Sequence, residues 1–486
     1  MTLTRRGFSA VRLGCKTAAT VLGACLACSC AVGPNYRRPD ANVPVGFKEA
    51  APEGWKLGQP QDLGSRGAWW SIYDDPVLDG LERQIDVSNQ TLKASEAAYL
   101  QSVSVLKAAR ATFFPTLTLG AAATRSRVIT SAGNPVSEND FSIGPNASWE
   151  PDLWGRIRRT VESDTANAQA SAADLASARL SAQSQLAQDY FELRIADELK
   201  RLLEATMAAY QRTLDITRNR YAVGVAAKSD VVTAETQLEN THAAAVNVEA
   251  QRDPLEHAIA VLIGKTPAEF SIAPAPLAGN VPAIPYGVPS TLLERRPDIA
   301  AAERQIAAAN AQIGVAIAAY FPTLTLSAST GYNSSTLSKL LEASNRVWSV
   351  GPQLAETVFD AGARRAQVAG ARATYDETVA NYRQSVLVGI QQVEDDLATL
   401  RVLAHQAQVQ NRAVELARQA EQLTLNSYKA GVVDYTSVVQ AQATALSSEQ
   451  SALTIRQSRL IASVSLIAAL GGGWSTAELP GTKQLE

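Results

Sequence analysis

The sequence predicts a mainly α-helical protein with a membrane β-barrel portion, assembled as a trimer. Three observations predict this class: one long unit occurs twice, each copy holds two segments of alternating polarity, and each copy ends in a very long helical pattern. We expect each unit to run helix, β-hairpin, long helical hairpin. Three chains would close a 12-stranded β-barrel and continue it as an α-helical barrel.

The duplication is visible in one hexapeptide. Phe-Pro-Thr-Leu-Thr-Leu stands at residues 114–119 and again at 321–326, which is an offset of 207 between 114 and 321. The same offset aligns Gly155 with Gly362 and continues without a gap through the glycines and tyrosines that follow. Repeats decide an architecture before local patterns do. The 486 residues are therefore two copies of one unit rather than three domains.

Composition excludes several classes of function. The net charge is −3, so no basic excess indicates a nucleic-acid partner. The four cysteines all precede residue 31, which excludes a disulfide framework or a cysteine metal site in the body of the chain. His242, His257 and His405 are scattered, and we interpret them as packed or solvated side chains. No catalytic pairing, phosphate loop or metal-ligand spacing occurs, so we expect no enzyme activity, cofactor or metal.

Residues 1–29 have the pattern of a bacterial lipoprotein signal peptide. Basic residues precede a short apolar stretch at 17–29, which is too short to span a bilayer of about 30 Å. A run of small residues ending in cysteine indicates acylation, but several cysteines fit. Cys25 follows the best-matching Leu-Gly-Ala, Cys28 stands next, and Cys30 leaves an apolar core of ordinary length. Arg5 and Arg6 would also suit a twin-arginine export signal, although a plain basic region is the simpler interpretation.

The first structural repeat is predicted at residues 69–279, after an extended tether at 30–68 that is rich in proline and glycine. Asp75 and Pro76 suit the start of a helix that runs to about Thr112. Segments at about 114–127 and 140–150 then alternate polar and apolar residues, as strands with unlike faces do. Their length of roughly 10 to 12 residues suits a tilted membrane strand.

A helical hairpin is predicted at about 156–263. No glycine or proline occurs from Arg156 to Val223, a helix of roughly 100 Å at ~1.5 Å per residue. Its heptad of apolar residues needs a partner helix, which the chain supplies by turning near Gly224 and returning. The second repeat, 280–474, is predicted to copy this plan, with strands at about 321–333 and 345–356 and a helical hairpin at about 363–470. Residues 475–486 form a polar tail that we expect to be frayed.

The four strands of one chain cannot satisfy their own edges in a bilayer, because only a closed barrel leaves no unpaired backbone there. Several chains must therefore close one barrel, although composition alone does not fix the number at three. We expect the leucines of the alternating segments to face lipid and the threonines to face the lumen; these are Leu117, Leu119, Leu324 and Leu326 against Thr116, Thr118, Thr323 and Thr325.

Three motifs carry a family resemblance: Cys-Ala-Val-Gly-Pro-Asn-Tyr from Cys30, Leu-Glu-Arg-Arg-Pro-Asp at 293–298, and Gly-Gly-Gly-Trp at 471–474. They resemble the outer-membrane factors of tripartite efflux pumps, the TolC- and OprM-like, NodT-type lipoproteins. The resemblance favours Cys30 as the acylated residue. It implies a homotrimeric outer-membrane duct that extends into the periplasm and exports drugs or other small molecules from a Gram-negative cell. It also implies two partners, a periplasmic adaptor (membrane fusion protein) and an inner-membrane transporter of the resistance-nodulation-division type.

The two hairpin turns are the candidate functional points. They carry equivalent residues, which are Tyr221, Gly224 and Val225 in the first repeat and Tyr428, Gly431 and Val432 in the second. Glycine there permits the positive φ of a helix end, and the resemblance adds a periplasmic tip that contacts the adaptor.

Just past the second turn, some family members carry aspartates that ring a closed aperture. The matching positions here are the neutral Ser437 and Gln440, with Asp434 and Asp230 nearby. We therefore expect an aperture gate that closes through glutamine hydrogen bonds, with weaker dependence on pH and salt than a ring of carboxylates.

Two other functions stay open at this point. One is the outer-membrane duct of a type I protein secretion system, which would use the same fold and differ in its genomic neighbours. The other is a structural coiled-coil envelope lipoprotein. The amphipathic strands argue against the second, because a spacer needs no such hairpins.

Overall fold

The computed structural model describes residues 31–52, 68–129, 135–277, 279, 281–284 and 286–485. The predicted signal peptide and Cys30 lie outside these residues. The first repeat contains α1 (Pro76–Ser88), α2 (Gln90–Ala111), β1 (Thr116–Ile129), β2 (Pro135–Trp149), α3 (Arg156–Ala222) and α4 (Lys228–Leu262). The second contains a helical turn (Leu292–Arg295), α5 (Pro297–Ala318), β3 (Thr323–Ser334), β4 (Arg346–Ala355), α6 (Ala363–Lys429) and α7 (Tyr435–Ala469).

The helix expected to run from residue 76 to about Thr112 is two helices. Asp75 caps the first by accepting hydrogen bonds from the backbone of Val77 and Leu78, as predicted. Asn89 separates the two, because its backbone is extended and its side chain accepts from the backbone N–H of Leu92 to cap α2. An asparagine cap inside a continuous apolar pattern was the signal that the prediction missed.

The four strands form one antiparallel sheet in the order β1-β2-β3-β4. β2 begins at Pro135, five residues before the predicted 140; proline is tolerated as the first residue of a strand, and only β1 pairs with it there. Gly144 and Gly331 let β2 and β3 approach closely, since a Cβ on either would lie within 2.5 Å of a carbonyl oxygen of the other strand. The two hairpins are thereby joined into a single sheet.

The strand register places unlike residues on the two faces of this sheet. Leu117 lies opposite Ala147, Leu324 opposite Leu354, and Trp149 opposite Leu326, and directly opposed residues project to the same face. The four predicted leucines therefore share one face. The threonines at 116, 118, 323 and 325 share the other, together with Ser142, Asn146 and Ser148 of β2.

The two helical hairpins are equal in length. α3 and α6 each have 67 residues, and α4 and α7 each have 35. Within the heptad of α3, Leu186, Leu193 and Leu214 are buried, while Lys200 breaks the apolar pattern and pairs with Glu249 of α4 at 2.7 Å. The main core lies where the long helices meet α1, α5 and the linker between the repeats, and its largest fully buried side chains are Tyr190 and Tyr382.

The chain on either side of the repeats packs against them. Residues 31–52 have no helix or strand, yet Val32 donates to the carbonyl of Trp154, and the buried Arg159 binds the carbonyl of Val32. The tail is packed rather than frayed: Leu485 is buried between α2 and α3, and the Arg110 guanidinium donates to its carbonyl at 3.2 Å. Leu479 of the tail also packs against the buried Ala173, Ala300 and Ala301, and the mostly polar composition hid both apolar contacts.

Candidate functional site

Both hairpin turns are closed in the same way. Gly224 and Gly431 adopt φ values of +76° and +77°, a left-handed conformation that side chains rarely adopt. The residue after each glycine donates back to the last helical turn, Val225 to the carbonyl of Arg220 and Val432 to that of Ser427. The turns therefore expose apolar valines at the free end of each hairpin, with Val225 62% and Val432 76% exposed.

The two tyrosines of the turns, predicted to be equivalent, are not. Tyr221 is 46% exposed, whereas Tyr428 is 3% exposed and packs edge-on against Tyr435, with ring centroids 5.5 Å apart. Arg220 of the first repeat covers the Tyr428 ring at 4.7 Å and donates to the carbonyl of Lys429 at 3.1 Å. Tyr428 therefore belongs to the joint between the repeats and is not a surface contact for a partner, which corrects its predicted role.

Arg220 is the residue that sequence reasoning missed at the tip. The 207-residue offset matches it with Ser427, so only the first repeat carries a cation at this position. A residue-by-residue comparison of the two turns would have shown the difference. The contact between the two repeats therefore includes an arginine from the first turn, whereas the second turn has a neutral serine at the equivalent position.

The predicted gate residues lie at the starts of α4 and α7. Asp434 caps α7 by accepting from the backbone N–H of Ser437 at 3.0 Å and from its hydroxyl at 2.7 Å, and the hydroxyl bond lowers the pKa of Asp434. Asp230 accepts from the backbone N–H of Ala227 at 3.3 Å, which serves the start of α4. Gln440 is exposed one helical turn beyond Ser437. The structure thus joins Asp434 and Ser437 by hydrogen bonds, while Asp230 bonds at the start of a different helix.

The apolar face of the sheet exposes several large hydrophobic side chains. Leu117 and Leu119 are 75% and 76% exposed, and Trp348, Val350 and Leu354 of β4 on the same face are 67–73% exposed. The outer strands β1 and β4 each pair on one side only. Such a face and two open edges are unstable in water unless something covers them.

The start of the described chain lies close to this sheet. Ala31 contacts Gly155, where a Cβ would come within 2.6 Å of it, and Gly155 directly precedes α3. Trp149, the last residue of β2, is only six residues earlier. Ala31 therefore lies next to the junction of the sheet and the helices, while the predicted acylation position Cys30 lies outside the described residues.

In the part of the chain that the structure describes, no helix is both long and apolar enough to cross a membrane. Among the same residues, no group of three or more histidine, cysteine, aspartate or glutamate side chains is placed to hold a metal ion.

Comparison with known families decides the class of protein. The profile of the outer membrane efflux protein family matches residues 81–265 and 288–472, one match for each repeat. This chain belongs to the outer membrane efflux protein family. The two matched ranges leave out the tether and the linker at 266–287.

Named members of the efflux family match nearly the whole chain. The pyoverdine export outer membrane protein OpmQ of Pseudomonas aeruginosa is 30% identical over 445 residues, which cover 89% of this chain and 94% of that protein. Among solved structures, the outer-membrane channel OprN is 30% identical with a TM-score of 0.85, covering 92% of this chain and all of that chain. The open-state MtrE channel of Neisseria gonorrhoeae is 27% identical with a TM-score of 0.79, covering 92% and 99%.

Proposed function

We propose that this chain is the outer-membrane exit duct of a tripartite efflux system that exports drugs or other small molecules. The observation that carries the proposal is the four-stranded sheet with one apolar and one polar face, joined directly to two helical hairpins of equal length. Such a sheet can form part of a β-barrel with lipid outside and water inside, and the hairpins can continue it as an α-helical barrel. One relative is named as a pyoverdine export outer membrane protein, which supports export of a small molecule by this chain.

The duct is a homotrimer. The open edges of β1 and β4 require strands from other chains, and three chains of four strands give a 12-stranded barrel with no edge. The repeats give each helical hairpin two similar neighbours, so three chains also close an α-helical barrel. The leucine face of the sheet then contacts lipid and the threonine face lines the lumen.

Cys30 anchors the duct to the outer membrane. Acyl chains contribute ~0.8 kcal/mol for each buried methylene. The contact of Ala31 with Gly155, close to the sheet, supports an anchor at the preceding residue. Mass spectrometry of the mature N-terminal peptide tests this assignment. An acyl group on Cys25 or Cys28 would show that the anchor is that cysteine and not Cys30.

The free ends of the hairpins meet the partner proteins. Val225 and Val432 expose apolar side chains at the turns, and Tyr221 extends this surface. A periplasmic adaptor contacts these residues and connects the duct to an inner-membrane transporter of the resistance-nodulation-division type. Gln440 forms the aperture gate, because Asp434 and Asp230 are already engaged as helix caps.

Export and pore formation are tested together. Deleting the gene should raise the cellular accumulation of a fluorescent dye such as ethidium, and the full-length protein should restore efflux. The purified protein should form discrete conductance steps in planar bilayers. Normal dye efflux in the deletion strain combined with loss of a secreted protein would instead assign the chain to type I secretion, and absence of any conductance would refute a duct.

A further inference from the structure

A cavity of about 860 Å³ lies between α3, α6 and α7, beside the linker that joins the repeats. Two of the arginines in its wall, Arg456 and Arg459 from α7, have no carboxylate partner among the described residues. Arg456 donates to the linker carbonyls of Leu277 at 3.3 Å and Gly279 at 2.8 Å. Arg459 has a buried Nε with no hydrogen-bond partner and takes part in no ion pair among the described residues.

The first repeat shows what a guanidinium at this position normally binds. The 207-residue offset matches Arg459 with Arg252 of α4. Arg252 donates from Nε to Asp197 at 2.8 Å and from Nη1 to Glu256 at 2.7 Å. The equivalent arginine in the first repeat is therefore fully paired, with one carboxylate from the long helix and one from its own helix.

Both of these carboxylates are missing in the second repeat. Ala404 stands where the first repeat has Asp197, and Ser463 stands where it has Glu256. The Ser463 hydroxyl is occupied by the Tyr73 hydroxyl at 2.7 Å. The arginine is thus present in both repeats while its counter-charges are present in one, and burial lowers the pKa of Arg459 because nothing in the described chain compensates for its desolvation.

The carboxylates that line the cavity do not fill this gap, since each already holds another arginine. Glu198 pairs with Arg201, and Glu449 pairs with Arg418. The third, Glu415, pairs with Arg412 at 2.8 Å. A partly buried guanidinium without a counter-charge is costly, so a site built this way favours an anion from outside.

We propose that Arg459 and Arg456 form a binding site for a carboxylate ligand in this cavity. The ligand carboxylate supplies the counter-charge to the Arg459 guanidinium that Asp197 supplies to Arg252. Its source is either a free organic acid or an acidic side chain of a second copy of this chain. Binding of a free acid does not depend on the duct activity proposed above.

Calorimetric titration of the full-length protein in detergent with glutarate tests the site. Arg459→Gln should weaken glutarate binding at least tenfold. Ala404→Asp should do the same, because it supplies the missing carboxylate from within, whereas the neutral isostere Ala404→Asn should bind like the parent. Arg218→Gln, at an exposed ion pair with Glu235 near the hairpin tip, is the matched control for arginine loss and should also bind like the parent.

If the carboxylate comes from a second copy, the parent will not take up glutarate, and its site will already be occupied in the oligomer. Arg459→Gln and Ala404→Asp should then lower the temperature at which the oligomer dissociates, and Ala404→Asn should not. Either result supports a carboxylate at Arg459. No glutarate binding by the parent, together with unchanged oligomer dissociation in Arg459→Gln and Ala404→Asp, would overturn the proposal.

Discussion

At the scale of single residues, Glu82 of α1 is an unusual case of a buried acidic side chain. Its side chain is fully buried, and neither carboxylate oxygen has a hydrogen-bond partner in the described chain. Burial, with a smaller contribution from Asp86, raises the pKa of Glu82 to about 9 from an ordinary value of 4.5. The group is therefore protonated in the folded protein at neutral pH.

This residue predicts a pH-dependent stability. Between pH 4.5 and about 9 the folded chain keeps a proton that the unfolded chain releases, so the Glu82 contribution to stability falls as pH rises. Glu82→Gln removes the titration and should stabilise the protein at pH 8 by on the order of a few kcal/mol, with little effect near pH 5. Thermal unfolding at both pH values measures this, with the exposed Glu96→Gln as control. An equal shift at both pH values would contradict it.

At the scale of elements, the strands were predictable because their two faces carry unlike residues. The period of two in Thr-Leu-Thr-Leu fixed which residues share a face, and the register confirms that grouping. Helix breaks and caps were less predictable. Asn89 interrupts a pattern whose apolar spacing continues across it, so periodicity alone could not locate the break.

The sheet supports a paired substitution experiment. Leu324 lies on the apolar face and its neighbour Thr325 on the polar face. Leu324→Arg should cost ~2–4 kcal/mol near the bilayer midplane and less near an interface, whereas Thr325→Arg should assemble and alter conductance. Folding in lipid vesicles and single-channel recording measure the two effects. Loss of assembly in the threonine variant alone would reverse the facing.

At the scale of the whole molecule, the sequence predicted where the candidate site lies but not which side chains interact there. The glycines located both tips, yet the burial of Tyr428 and the cavity beside Arg459 depend on contacts between the repeats. A sequence pattern within one repeat carries no information about such contacts. Comparing the repeats position by position recovers part of it, as the pairs Arg220 with Ser427 and Asp197 with Ala404 show.

The proposed aperture gate at Gln440 supports a prediction at this scale. Three copies of Gln440 can close the aperture by donating to and accepting from one another without a bound cation. Gln440→Asp would bring three like charges together and favour opening unless a cation bridges them. We expect these channels to become more sensitive to block by divalent cations in planar bilayers. Gln406→Asp, exposed on the middle of α6, is the control; strong divalent block of the parent would argue for Asp434 or Asp230 instead.

The equal helix lengths of the two repeats limit how this gene can change. One extra residue in α3 alone would lift its tip by ~1.5 Å relative to that of α6 and would turn every later side chain by about 100°. An insertion or deletion in one hairpin therefore moves its tip out of line with the tip of the other hairpin, unless the other hairpin acquires the same change. The length of the two long hairpins can therefore evolve only through coordinated changes in both halves.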